Sequence, residues 1–232
     1  MDFITLNPPG GPRRFYHRGS KADLGVLGQI FKNKDYGLQR LRRGAELQGL
    51  GRSLERPLII DGGANIGASV CWFAINFPNS RVIAFEPDPA NFDLLQRNTE
   101  GLDVELHRAA LGSREGKVRL EDPGQGEWGY RTSAAEDGTV PLLSIGRMVS
   151  DAVAAGFSPF IAKIDIEGGE ADLFLPPTDW VDLFPLMIVE LHDWLMPRQR
   201  TSQPFLQCVA ARDRDFVHLG ENVFSIRNDR GR

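Results

Sequence analysis

The stretch Asp61-Gly62-Gly63-Ala64-Asn65-Ile66-Gly67 constrains this chain more than any other part of it. It follows the apolar run Pro57-Leu58-Ile59-Ile60 and precedes Ala68-Ser69-Val70-Cys71-Trp72-Phe73-Ala74. That order spells a buried strand, a tight glycine turn and a helix. Glycine removes the side chain that would keep a ligand from lying against backbone. Further on, a second strand, Arg81-Val82-Ile83-Ala84-Phe85, ends in Glu86-Pro87-Asp88. An acid at the tip of a second strand can accept ribose hydroxyls. The two strand ends together outline a pocket for an adenosine-containing cofactor.

The glycine spacing narrows the choice of cofactor. A dinucleotide turn carries G-x-G-x-x-G, with a pyrophosphate on the helix N-terminus. Here the glycines sit at 62, 63 and 67, and Asn65 stands where the backbone would otherwise be bare. No Gly-Lys-Ser/Thr follows, which removes a Walker-type phosphate loop. Asp61 would repel a pyrophosphate but suits an ammonium group. S-adenosylmethionine (SAM) has a ribose, an adenine, a cationic amino group and no phosphate, and it fits both acids. The expected contacts are Asp61, Gly62, Gly63, Ala64, Asn65 and Gly67 from the turn, and Glu86, Pro87 and Asp88 from the second strand tip.

With 232 residues the chain can bury the core of one α/β domain but not two full ones. No apolar run approaches a membrane span, and the N-terminus lacks the basic start and apolar stretch of a signal peptide. Two cysteines, Cys71 and Cys208, make no disulfide framework, so a cytoplasmic setting is the expectation. Residues 1–56 carry a surplus of Lys and Arg, including Arg13, Arg14, Arg18, Arg42 and Arg43, which reads as a solvated face. It lacks the interleaved aromatics that stack bases, so nucleic acid is not an expected partner.

Along the chain, residues 1–20 read as a loose Pro/Gly-rich arm and 22–32 and 36–50 as helices. This N-terminal arm and helical extension, 1–56, precedes the cofactor-binding domain, 57–232. Strands at 57–61, 81–86 and 103–107 alternate with helices at 67–77 and 89–99, which implies a parallel sheet with helices on both faces. The region 112–140 breaks this rhythm: short strands near 117–120 and 138–141 bracket a loop whose Trp128 could close over the site. A helix near 142–154, strands at 160–164 and 186–189, and a hairpin over 216–226 complete the pattern.

In such sheets ligands bind beyond the carboxyl ends of the strands, where strand order reverses. After the third strand come His107-Arg108-Ala109-Ala110, after the fourth Asp165-Ile166-Glu167-Gly168-Gly169-Glu170, and after the fifth Glu190-Leu191-His192. Methyl transfer from a sulfonium requires an aligned acceptor and, for an alcohol, removal of its proton. His192 is the expected base, because imidazole titrates near neutrality. Glu190 or Asp165 would orient it or take the proton. The same three residues have the ligand types of a hard divalent cation, but their spacing is not diagnostic, and no metal is assigned from sequence.

These residues also carry a resemblance. Asp61–Gly67, Phe85-Glu86-Pro87-Asp88, Ala109-Ala110-Leu111-Gly112, Lys163–Glu170 and Val189-Glu190-Leu191-His192-Asp193, in that order, resemble the motif set of FkbM-type SAM-dependent methyltransferases. The resemblance runs from about residue 20 to 195. It implies a class I methyltransferase fold, Rossmann-like, with a mostly parallel seven-stranded sheet whose last strand is antiparallel. It implies O-methylation of a small-molecule, sugar or natural-product hydroxyl. It adds Ala109, Ala110 and Asp165 to the cofactor contacts, along with Tyr36 within Gln29–Tyr36, where an aromatic reaches the methionine end. The competing readings are an NAD-dependent oxidoreductase, disfavoured by the missing pyrophosphate turn, and a non-catalytic SAM-binding scaffold. The expected partner is a small-molecule or glycoside acceptor, with no membrane and with a homo-oligomer left open.

Overall fold

The computed structural model describes residues 1–8, 11–121, 131–134 and 137–228. The N-terminal segment corrects the first expectation. It forms a hairpin in which β1 (Asp2–Leu6) pairs antiparallel with β2 (Arg13–His17). Two features hold it down. Phe15 is fully buried. Asn98 accepts from Tyr16 N at 2.7 Å and donates to Tyr16 O at 2.9 Å and Ile66 O at 2.8 Å. Arg13 adds bonds to the carbonyls of Asn98 and Glu100, so part of the N-terminal basic surplus is spent inside the fold.

The extension beyond it is less regular than its periodicity suggests. α1 (Lys21–Leu27) starts at Ser20, whose hydroxyl accepts from Asp23 N. It widens into a π-helical turn over Gly28–Asn33, and Lys34, left-handed at φ 59°, stops it. A short 3-10 turn at Leu38–Arg40 leads into α2 (Gly44–Ser53), so the second expected helix begins late.

The alternating units follow closely where the apolar runs place them: β3 (Pro57–Gly62), α3 (Ala68–Asn76), β4 (Arg81–Phe85), α4 (Pro89–Asn98) and β5 (Val104–His107). The next segment is more than two strands around a loop. β6 (Ala110–Gly112), β7 (Gly116–Glu121), β8 (Arg131–Ala134) and β9 (Val140–Ser144) form a separate sheet in the order β6-β9-β7-β8. Trp128 lies outside the described residues. α5 (Ile145–Ala154) begins after β9, with the Ser144 hydroxyl accepting from Arg147 N at its start. Then come β10 (Ser158–Ile164), a short α6 (Glu170–Leu173), β11 (Leu186–Glu190), α7 (Gln203–Ala210), and the hairpin of β12 (Arg214–Leu219) and β13 (Asn222–Arg227).

The main sheet has seven strands in the order β12-β13-β11-β10-β3-β4-β5. Neighbours from β11 to β5 run parallel, and β13 lies antiparallel to β11. This is the expected class I order. Successive residues of β3 point to opposite faces: Ile59 belongs to a core with Phe73, Leu95 and Phe15, while Leu58 and Ile60 belong to a second core with Val149 and Phe205. The N-terminal hairpin and α1 therefore share a core with α3 and α4. Cys71 sits in that core, where burial pushes its thiol up to about 12, as suits a packing residue. Among the described residues, no helix is long and apolar enough to cross a membrane.

The chain leaves β3 for β4 on one side and returns at β10 on the other. Strand order reverses there, and a crevice opens at the carboxyl ends of β3 and β10. Asn98 ties the N-terminal hairpin to the loop entering α3, one layer behind this crevice. Asn98→Ala would leave buried backbone groups of Tyr16 and Ile66 unpaired. Each such group costs about 1–3 kcal/mol, so chemical denaturation should show a loss at or above that range. An unchanged midpoint would mean that the hairpin is not held by this side chain.

Candidate active site

The turn after β3 is shaped by its second glycine. Gly63 has φ +76°, and a Cβ there would lie 1.7 Å from the carbonyl oxygen of Asp165. At Gly62 the nearest atom to such a Cβ is a Leu111 methyl at 3.2 Å, which a side chain can relieve. Gly63 N and Ala64 N both donate to Phe85 O, and Asp165 N donates to Gly62 O. The tips of β3, β4 and β10 are thus joined backbone to backbone.

Beneath the turn lies Lys163, a residue of β10 that belongs to none of the expected contacts and is 2 % exposed. Its ammonium donates to Gly62 O at 3.1 Å and Gly63 O at 2.6 Å, and it lies 3.1 Å from Asp61 and 3.5 Å from Asp165. Burial works against its charge, yet Asp61 and its other neighbours hold its pKa well above the ordinary lysine value. Asp61 is therefore not where it was expected. It is fully buried, it does not line the pocket, and its charge faces Lys163 rather than a ligand.

Glu86 does sit where the sequence suggests. One carboxylate oxygen accepts from Asn65 N at 2.8 Å, and the other from Asp88 N at 2.9 Å. Asn91 adds a longer bond at 3.5 Å to the oxygen that Asp88 N holds, so the oxygen facing Asn65 N keeps a lone pair for a ligand. Burial outweighs these bonds and raises its pKa to about 7. Asp88 caps the following helix. Its side chain accepts from Asn91 N at the start of α4, and it lies outside the pocket lining. Gly67, at φ +90°, opens α3 and lies outside the lining, as does Gly62.

The pocket itself brings together Tyr36, Gly63, Ala64, Asn65, Glu86, Pro87, Ala109, Ala110, Asp165 and Glu190, all expected from sequence. Tyr36 stacks on Phe73 with ring centroids 5.5 Å apart, and burial keeps it a neutral phenol. The unexpected walls are Gln29, Ile30 and Asp35 from the N-terminal extension, Lys163 and Glu167 from the floor, and Glu221 and Asn222 from the C-terminal hairpin. Gln29 donates to Glu221 at 3.1 Å across the mouth. Their signal in sequence is slight, since walls contributed by distant segments have no local pattern.

His192 differs most from its expected role. It is 1 % exposed, lies outside the lining, and its Nδ1 donates to the fully buried Glu170 at 2.9 Å. Its Nε2 faces Asp165 at 3.5 Å, and Glu167 and Glu190 at 3.6 Å. Burial alone would favour neutral imidazole, but the bond to Glu170 and the surrounding acids raise its pKa to about 10. That favours the protonated ring in the free protein, and its Nε2 is buried away from the pocket lining, so it is poorly placed to take a proton from an acceptor. Glu167 and Glu190 are raised to about 8, first by burial and then by Asp165. His107, at the end of the third expected strand, stacks on Phe85 and pairs with Glu105.

A family model, the FkbM methyltransferase domain, matches residues 61–217, from the first residue of the glycine turn into β12. The chain belongs to this family. The cofactor of FkbM methyltransferases is SAM, the group expected from the glycine turn. Hexuronic acid methyltransferase AglP of Haloferax volcanii is 29% identical over 151 residues, which cover 63% of this chain and 61% of that protein. Methyltransferase 1 of Beauveria bassiana is 30% identical over 162 residues, covering 58% of this chain and 64% of its own. The FkbM chain described here thus spans about three-fifths of the length of these relatives. Among solved structures, the O-methyltransferase TomG of Streptomyces achromogenes matches at 14% identity and a TM-score of 0.48, covering 91% of this chain and 92% of its own.

Lys163→Met should leave Asp61 as a buried, uncompensated charge and destabilise the protein by about 3–5 kcal/mol. Adding Asp61→Asn should recover part of that loss in the double variant. Strictly additive losses in denaturant unfolding would show that the two groups do not interact.

Proposed function

We propose that this chain transfers a methyl group from SAM to a hydroxyl oxygen of a small-molecule or glycoside acceptor. The observation that carries the reading is the division of carboxylates across one pocket. Glu86 stands on the β4 side of the Gly63 turn, and Asp165 and Glu190 stand on the β10–β11 side. Family membership supports methyl transfer, and the relative named for a hexuronic acid supports a sugar-like acceptor.

The pocket fits the donor on its own chemistry. Glu86 offers acceptor oxygens to ribose hydroxyls, Phe85, Ala109 and Leu111 offer apolar surface to an adenine ring, and the bare Gly63 backbone admits close approach. The bound donor supplies an electrophilic methyl on a sulfonium: the acceptor oxygen forms the new bond to carbon, and the pair of the broken bond stays on sulfur. Asp165 and Glu190 are placed to take the hydroxyl proton released in that step. His192 stands behind them, with its Nε2 facing both acids at 3.5 and 3.6 Å.

Two measurements test the reading. Ribose hydroxyls donate to ionised Glu86, so SAM affinity by calorimetry should rise with pH through about 7, where the group titrates in the free protein. Glu86→Gln should flatten that component and weaken binding by about tenfold or more. Glu190→Gln should keep SAM binding but lower methyl transfer from labelled donor by about 10²–10⁴-fold, the usual share of general-base catalysis. Unchanged affinity in the first variant, or label arriving on an acceptor nitrogen, would sink the proposal.

A further inference from the structure

The cluster around His192 holds more acid than the methyl-transfer reading uses. Asp165, Glu167, Glu170 and Glu190 surround one imidazole, and its Nε2 is buried without a hydrogen-bond partner. The ring is turned so that this nitrogen faces three carboxylate oxygens at 3.5–3.6 Å. The opposite nitrogen, Nδ1, is fixed by Glu170, which is itself fully buried. We infer that Asp165, Glu190 and His192 form a binding site for a divalent metal cation of the Mn²⁺ or Mg²⁺ kind, with Glu170 orienting the imidazole from behind.

Geometry supports the inference. Two donors held about 2.1–2.2 Å from a common ion, about 90–110° apart, are themselves about 3.0–3.6 Å apart. The Nε2–Asp165 and Nε2–Glu190 separations, 3.5 and 3.6 Å, fall at the upper end of that range. One ligand atom from each of the three residues lies within 4.8 Å of the other two. A carboxylate behind a ligating histidine is the usual outer partner, because it fixes which ring nitrogen faces the metal. Two carboxylates and one imidazole favour a cation that accepts oxygen ligands and tolerates nitrogen. Three protein donors leave coordination positions open, and Asp165 and Glu190 line the pocket. An acceptor oxygen could fill one of them and lose its proton more readily there. That last role rests on the methyl-transfer reading, whereas the site itself does not.

The test is Mn²⁺ titration of full-length protein stripped with chelator, read by calorimetry and by the free-Mn²⁺ electron paramagnetic resonance signal. About one equivalent should bind, displacing the proton that the imidazole carries in the free protein. Asp165→Asn, at a half-buried position, and Glu190→Gln should each weaken it by at least about tenfold, and Glu170→Gln by about 10–100-fold. Added Mg²⁺ should compete. Thermal unfolding confirms that each variant is folded. No uptake by stripped, folded wild type, or uptake unaffected by both Asp165→Asn and Glu190→Gln, would overturn the inference. SAM binding is measured on the same stripped samples. SAM bound without Mn²⁺ uptake would mean that the acids serve the donor's own ammonium, which removes the metal site and leaves methyl transfer standing. Mn²⁺ uptake without SAM binding would do the reverse.

Discussion

The ammonium of Lys163 is the interaction on which the site depends. It lies below the glycine turn and bonds to two of its carbonyls while facing Asp61 and Asp165. Gly62 O also accepts from Asp165 N, but the ammonium adds a second donor there and satisfies Gly63 O as well. With a cation there, the turn of β3 and the tip of β10 become one unit, and every pocket group on those strands takes its position from it. The arrangement also explains why an acid opens the turn. Asp61 serves the lysine, and the lysine serves the loop.

A second consequence concerns charge. Asp61, Asp165, Glu167, Glu170 and Glu190 stand against Lys163 and His192, so the floor carries more acid than base. Low local dielectric makes that imbalance costly, and it appears as raised carboxyl and imidazole pKa values. A floor of this kind favours a positively charged guest. The proposed donor arrives as a sulfonium and leaves as a neutral thioether, so the same field that draws it in holds the product less tightly.

The main sheet was legible because its strands are short apolar runs bounded by glycine, proline or acids, and local pattern suffices for that. The N-terminal hairpin was not. Pro8, Pro9, Gly10 and Gly11 suggest a loose arm, and what pins the hairpin is Asn98, more than eighty residues away. The strand tips were found by position alone, so Glu86, Ala109, Asp165 and Glu190 fall on the pocket. What position cannot supply is a side chain's partner. Asp61 and Asp88 look alike as acids after strands, yet one is buried against a lysine and the other caps a helix. His192 has the right residue type, but against its burial the bond to Glu170 and the nearby Asp165 set its charge. Lys163 did leave a trace, as one charged residue inside Phe160–Ile164 in an otherwise apolar core strand.

The missing Cβ of Gly63 reaches beyond the loop itself. Because the Asp165 carbonyl occupies the space a side chain would need, the β3 and β10 tips meet backbone to backbone there. A side chain at Gly63 has no room, and the contact leaves little slack between the two tips. Anyone wishing to redirect this scaffold to a bulkier acceptor has to work at the rim, on Gln29, Glu221 and Asn222, where different stretches of chain meet and can be rebuilt independently.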